Sequence, residues 1–182
     1  MNKKLTPAEF VEKYLPIAKA VQDKTGIKRI AMLTQAALES RWGKSAPGNM
    51  YLGVKATKSE VARKHMVQLL RTTEYSKRDN LSFPKIYSIT PVVMNGKTMY
   101  KYIVRDYFRR FNNAEESFMH HANMFLNNKR RWGKALEVKA DPYLFLEEVA
   151  KAGYATDPNY YKKLRKIAVI IQKEVEKIES NA

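Results

Sequence analysis

The stretch from Ala36 to Lys55, AALESRWGKSAPGNMYLGVK, holds the residues best placed to do chemistry. Glu39 falls in the last turn of an otherwise apolar helix, beside Trp42. A carboxylate there loses water to its apolar neighbours and faces the negative end of the helix dipole, and both effects raise its pKa. A carboxyl that keeps its proton near neutral pH is what a glycosidase needs as general acid. The Gly-Pro-Asn-rich loop that follows could bring backbone groups close to a sugar. On physics alone a second reading stays open, in which Glu39 is a solvated residue at a helix end. The histidines offer little else: His120 and His121 are adjacent on a helix and face different directions, and His65 stands alone in a basic segment. No metal site is expected from them, and no cofactor. The absence of cysteine removes thiolate zinc sites, disulfides and cysteine nucleophiles.

The elements that must carry these residues can be read from caps and periodicity. Thr6-Pro7-Ala8-Glu9 has the pattern of a capping box with proline in the first turn, and Phe10, Val11, Tyr14, Ile17, Ala18 and Val21 follow at helical spacing. Pro16 is expected to kink or split that helix. A second helix, about 28 to 41, presents a broad apolar face and ends before Gly43, Pro47 and Gly48. From about 68 to 111 the pattern turns β-rich. Asn95-Gly96 between runs rich in Ile, Val and Tyr is a hairpin signal, and Pro84 and Pro91 confine their strands to edges or bulges. Further helices are expected from Asn113 to about Leu126, from Asp141-Pro142 to Gly153, and from Asp157-Pro158 onward. Helices on both sides of a small β insertion predict an α+β, mainly α, fold with a β-hairpin lobe, the whole chain forming one domain.

Composition bounds the rest. A chain of 182 residues can bury a core unaided, and 11% aromatic residues argues against disorder. The formal charge of +16 favours polyanionic partners, whether nucleic acid, wall polymer or membrane surface. No apolar run approaches the ~18 residues of a membrane helix. The opening MNKKLTPAEF puts no apolar stretch behind its lysines, so no signal peptide is expected in this chain.

The blocks Ala37-Leu38-Glu39-Ser40-Arg41-Trp42-Gly43-Lys44-Ser45-Ala46-Pro47-Gly48-Asn49 and Leu52-Gly53-Val54-Lys55 closely resemble the signature of glycoside hydrolase family 73. So, in the family's order, do Leu70-Arg71-Thr72-Thr73-Glu74, Asp106-Tyr107-Phe108-Arg109 with Glu115-Glu116-Ser117-Phe118, and Ala152-Gly153-Tyr154-Ala155-Thr156-Asp157-Pro158 with Tyr160. The family comprises peptidoglycan-cleaving N-acetylglucosaminidases. The resemblance implies a lysozyme-like helical domain with a β-lobe facing the catalytic helix across a groove. It also implies endo-β-N-acetylglucosaminidase activity with Glu39 as general acid.

For the second catalytic group the resemblance offers Glu74, with Asp106 and Asp79 as fallbacks, because a long basic stretch from Ser76 to Tyr87 separates Glu74 from the hairpin turn. Alternatively, the substrate's own acetamido group attacks, oriented by Tyr154. Glu74 could instead serve only as a partner for Arg71 or Arg78. Trp42, Asn49, Tyr51, Lys55 and Tyr160 are the substrate-binding candidates, although Trp42 could equally be a core aromatic and Tyr160 could pack at a helix start. Arg41, Met50 and Leu52 depart from the family's usual residues. The expected partner is the peptidoglycan glycan strand, with anionic wall polymers as further candidates, and the expected place of action is the cell wall. Without a signal peptide that implies phage-type release or a trimmed chain. The competing readings are a muramidase on the same strand, a non-catalytic wall-binding protein, and a nucleic-acid-binding module. The last lacks any helix-turn-helix, zinc-finger or RNP-like motif.

Overall fold

The computed structural model describes residues 3–155 and 157–181. In chain order these form α1 (Pro7–Thr25), α2 (Arg29–Glu39), a short 3-10 turn (Pro47–Asn49), α3 (Lys58–Arg63), β1 (Val67–Ser76), β2 (Lys85–Met94), β3 (Lys97–Arg109), α4 (Ala114–Leu126), α5 (Lys129–Glu137), α6 (Pro142–Lys151) and α7 (Tyr160–Ser180). The chain divides into two compact units, residues 1–52 with 111–182 and residues 53–110. The strands run from Val67 to Arg109, and the second compact unit also takes in residues 53–66.

In the helical unit α2 is the central element, packed against α1, α6 and α7. Its residues Ala31 to Ala37 are all buried, because RIAMLTQAALE is apolar on nearly every side. The long α7 contributes Leu164, Ala168, Ile171 and Val175, one stripe at helical spacing, and α1 contributes Phe10, Val11, Tyr14, Ala18 and Val21. The capping box at Thr6 and Glu9 forms as the sequence predicts. The helix does not break at Pro16, which lies exposed while Tyr14, Leu15 and Ala18 on either side are buried; burial of that face carries α1 through to Thr25.

Two helix boundaries differ from expectation. Helix α2 stops at Glu39, because Ser40 Oγ bonds back to the Ala36 carbonyl at 2.6 Å and accepts the Gly43 N–H at 2.9 Å. Arg41 and Trp42 then take left-handed φ values of 53° and 58°. Helix α7 begins at Tyr160, not at Pro158, because the Asp157 carboxylate accepts the Asn159 N–H and shapes a turn first.

The second unit is a three-stranded antiparallel sheet in the order β1-β3-β2. Asn95 and Gly96, with φ of 51° and 71°, form the two-residue turn between β2 and β3. Pro91 lies on the edge strand β2, as read from the sequence; Pro84 falls just before that strand, and a bulge lies between Ile86 and Ser88. Residues 77–84 pass from the β1 edge to the β2 edge. They are held by Tyr102, whose hydroxyl donates to the Arg78 carbonyl at 2.7 Å and accepts the Leu81 N–H at 3.3 Å, with Phe83 packed on its ring. Tyr102 and Val104 are fully buried on that face. Among the described residues no helix is long and apolar enough to cross a membrane.

Candidate active site

Glu39 is the last residue of α2, so the buried helix fixes its Cα while the left-handed turn at Arg41 and Trp42 opens the chain beyond it. The residue as a whole is exposed, yet the protein around its carboxyl removes enough water for desolvation to raise its pKa. A hydrogen bond from Tyr160 works the other way and offsets only part of that rise. The Tyr160 hydroxyl lies 3.4 Å from Glu39 Oε1.

Behind Tyr160 runs a buried polar chain that links α2, α4 and α7. Gln35 Nε2 lies 3.4 Å from the Tyr160 hydroxyl, and Gln35 Oε1 lies 3.0 Å from His121 Nε2. Burial, with the neighbouring His120 charge, pushes the His121 pKa down to about 3. The ring is therefore neutral at physiological pH and carries its proton on Nε2, because the Gln35 oxygen can only accept. The Gln35 amide then donates to the Tyr160 oxygen, which leaves the Tyr160 proton for Glu39. Gln35 shares a helix face with Glu39 four residues on, which is the signal in the sequence that could have found it.

Tyr154 stacks on Tyr160 with centroids 5.6 Å apart and planes 15° apart, and it meets His121, Phe125 and Trp132 as well. Burial first, then the charge of Glu39, holds its hydroxyl well above the usual phenol range. The Ala152 and Gly153 carbonyls that precede it accept from Arg131 Nε and Nη2 at 3.4 and 2.7 Å. Tyr154 and Tyr160 thus lie together beside Glu39, and Tyr160 both packs and bonds.

Other candidates are placed differently. Tyr51 is buried, its hydroxyl 2.6 Å from that of Tyr14, so it is a core residue of the helical unit and not an open sugar platform. The Asn49 amide donates to the carbonyls of Phe111 and Asn112 at 3.1 and 3.0 Å, which closes the loop after α2 onto the start of α4. Trp42 is half-buried, edge-on to Phe10 at 5.5 Å.

In the β unit, Glu74 and Asp106 stand on the same face of β1 and β3 as Tyr102 and Val104. Lys55 Nζ lies 2.7 Å from Glu74 Oε1 and also bonds the Asp106 carboxylate. Partial burial disfavours the Lys55 ammonium, but the bonds to Asp106 and Glu74 prevail and its pKa is raised. Glu74 also accepts from Thr72 at 3.1 Å. Its cation is Lys55, not Arg71 or Arg78. Asp79 is exposed in the crossing segment. Among the described residues no group of three His, Asp or Glu side chains could hold a metal ion.

A helical unit with a small antiparallel sheet, and a glutamate that ends a buried helix beside Tyr160, match the lysozyme-like fold class. Residues 15–173 match the glucosaminidase family, described as mannosyl-glycoprotein endo-beta-N-acetylglucosaminidase, and the chain belongs to that family. It is 31% identical over 160 residues to the peptidoglycan hydrolase FlgJ of Pseudomonas aeruginosa, covering 88% of this chain and 36% of that protein. It is 29% identical over 167 residues to a probable N-acetylmuramidase of Lactococcus lactis, covering 87% and 32%. The C-terminally truncated glycoside hydrolase domain of Salmonella typhimurium FlgJ superimposes with a TM-score of 0.66 at 25% identity, over 92% of this chain and 99% of that one. The chain spans between about a third and a half of the length of the curated relatives it matches.

Proposed function

We propose that this chain is an endo-β-N-acetylglucosaminidase that cuts the β-1,4 glycan strand of peptidoglycan after N-acetylglucosamine, with Glu39 as general acid. The observation that carries the reading is the family match over residues 15–173, with Glu39 ending the buried helix α2 and the Tyr160 hydroxyl 3.4 Å from its Oε1. Desolvation favours the protonated form of Glu39, and that proton passes to the glycosidic oxygen as the bond to the anomeric carbon breaks. The Tyr160 hydroxyl then faces the glutamate that has lost its proton. Glu74, fixed on β1 by Lys55 and Thr72, is the proposed second carboxylate that meets the anomeric centre directly or through water. Tyr154 is the proposed partner of the substrate's acetamido group. Trp42 and Tyr160 remain candidates for sugar contact; Asn49 and Tyr51 serve the loop and the core, and Lys55 serves Glu74.

Action is proposed at the cell wall, outside the cytoplasm, since the relatives are named as peptidoglycan hydrolases. The muramidase reading is favoured by one observation, the similarity to a probable N-acetylmuramidase. Digestion of purified peptidoglycan, borohydride reduction and mass spectrometry of the new ends separates the two. Reduced N-acetylglucosamine ends support the proposal. Reduced N-acetylmuramic acid ends replace it by the muramidase. Wild type that releases neither from several wall types removes the catalytic reading.

A further inference from the structure

The β unit carries a disproportionate share of the positive charge: residues 53–110 hold 13 of the 34 Lys and Arg but only four of the 18 Asp and Glu. Three of those four are already engaged, Glu74 and Asp106 by Lys55 and Glu60 by Arg109. The fourth, Asp79, belongs to the segment that Tyr102 holds, on the face of the sheet that also carries Glu74.

The opposite face shows an arrangement that folding alone does not favour. Arg71 on β1 is directly opposite Arg105 on β3, and Arg105 is directly opposite Lys85 on β2. Three cations therefore stand in one row across three strands, where like charges directly opposite each other destabilise a sheet. All three are exposed, and among the described residues none has a carboxylate partner. They gather around Tyr87, the extra residue of the β2 bulge. The Arg71 guanidinium and the Lys85 ammonium each lie 4.9 Å from its ring centroid, and Arg105 Nε donates to its hydroxyl at 3.1 Å. That bond, together with the surrounding cations, holds the Tyr87 hydroxyl below the usual phenol range. The ring holds the cations in place, so less side-chain freedom is lost when an anion binds.

We propose that the Arg71–Arg105–Lys85 row, organised by Tyr87, is a binding site for a phosphodiester-bearing polyanion of the cell wall. The charge decides for phosphate chemistry: three cations around one ring exceed what a single carboxylate neutralises, and guanidinium groups pair bidentately with phosphate oxygens. The wall, rather than nucleic acid, is chosen because the chain belongs to a glucosaminidase family, so this choice of source rests on the proposed function. The face would hold the enzyme on its insoluble substrate while hydrolysis proceeds at Glu39.

The test uses the full chain and two probes. Binding of long-chain inorganic polyphosphate is measured over a salt series for the wild type and for Arg105→Gln/Lys85→Gln, with Arg71→Gln as a second variant. The expected result is at least tenfold weaker binding in the double variant and a log–log salt slope smaller by about 1.4, from ~0.7 per lost contact. Its melting temperature without polyphosphate should be no lower than wild type, since like charges have been removed. Equal affinity and slope in both variants overturns the site. Cosedimentation with walls before and after hydrofluoric acid removal of phosphodiester polymers then tests the source. Loss of wild-type binding on stripping supports it; unchanged binding, or tighter row-dependent binding to duplex DNA, overturns it. Glycan hydrolysis is scored separately, so its absence counts against the proposed activity and not against the anion site.

Discussion

Replacing Tyr160 by Phe isolates one hydrogen bond with a defined direction. In the buried chain His121–Gln35–Tyr160–Glu39, each donor is fixed by the one before it, so the Tyr160 proton points to Glu39. That bond favours the charged carboxylate and lowers the Glu39 pKa against the desolvation that raises it. Its loss must raise the pKa further. A well-formed hydrogen bond to a charged group is worth about 1.5–3 kcal/mol, with an O–H···O⁻ separation near ~2.6 Å. At 3.4 Å the bond is long, and about 0.5–1 kcal/mol is a reasonable share, or roughly half a pH unit. A general acid works while protonated, so the alkaline limb of kcat/KM should move about half a unit to higher pH in Tyr160→Phe. The assay is the pH profile of kcat/KM on a soluble glycan fragment. A shift to lower pH, or an unmoved limb in a variant that still folds, refutes the direction assigned to the chain.

Other consequences are independent of this one. His121 has a pKa of about 3 in the fold against about 6.5 unfolded, so its contribution is complete above pH 6.5 and is lost as pH falls toward 3. Between pH 6.5 and 5 this amounts to about 2 kcal/mol; urea titrations across that range should show the loss, and His121→Gln, which keeps a donor for Gln35, should flatten it. Lys55→Met leaves the Glu74 and Asp106 carboxylates without their shared cation. It should cost about 1 kcal/mol in a urea titration, the upper end for half-exposed pairs, and should slow glycan hydrolysis if Glu74 takes part. Gly96 has φ of 71° at the hairpin tip with open space around it, so Gly96→Val should lower the melting temperature through backbone strain alone.

Local chemistry was readable along the chain wherever it stayed local. The Thr6–Glu9 capping box, the Asn95-Gly96 turn and the apolar face of α2 each depend on residues close in sequence and form as read, although α2 stops at Glu39, two residues short of the reading. Helix α5 was not readable, because KRRWGKALE has few apolar residues and an internal glycine, and it is anchored by Trp132 and Ala135, with Leu136 partly buried beside them. The sheet order β1-β3-β2 rests on pairing between β1 and β3, strands about 30 residues apart, with Tyr102 holding the segment that crosses between β1 and β2, and no local spacing encodes it. The same limit applies to the site. Glu39 could be singled out from its helix, but the His121–Gln35 contact joins residues 86 apart and the Lys55–Asp106 contact joins residues 51 apart. His121 looked idle because adjacent histidines make a poor metal site, yet the fold uses one of them as a neutral donor. Conversely, Tyr51 looked available to a sugar until its hydroxyl was seen against Tyr14.

The central claim is that Glu39 is the proton donor, and Glu39→Gln tests it most directly. A native pKa raised above the unfolded value means that ionised Glu39 weakens the fold as pH rises through that pKa, so the amide should melt no lower than wild type at pH 7. Loss of a general acid should lower kcat on peptidoglycan by about 10²–10⁴. A variant that folds as well as wild type and loses hydrolysis by that factor is the predicted result; one that keeps kcat within tenfold contradicts the account.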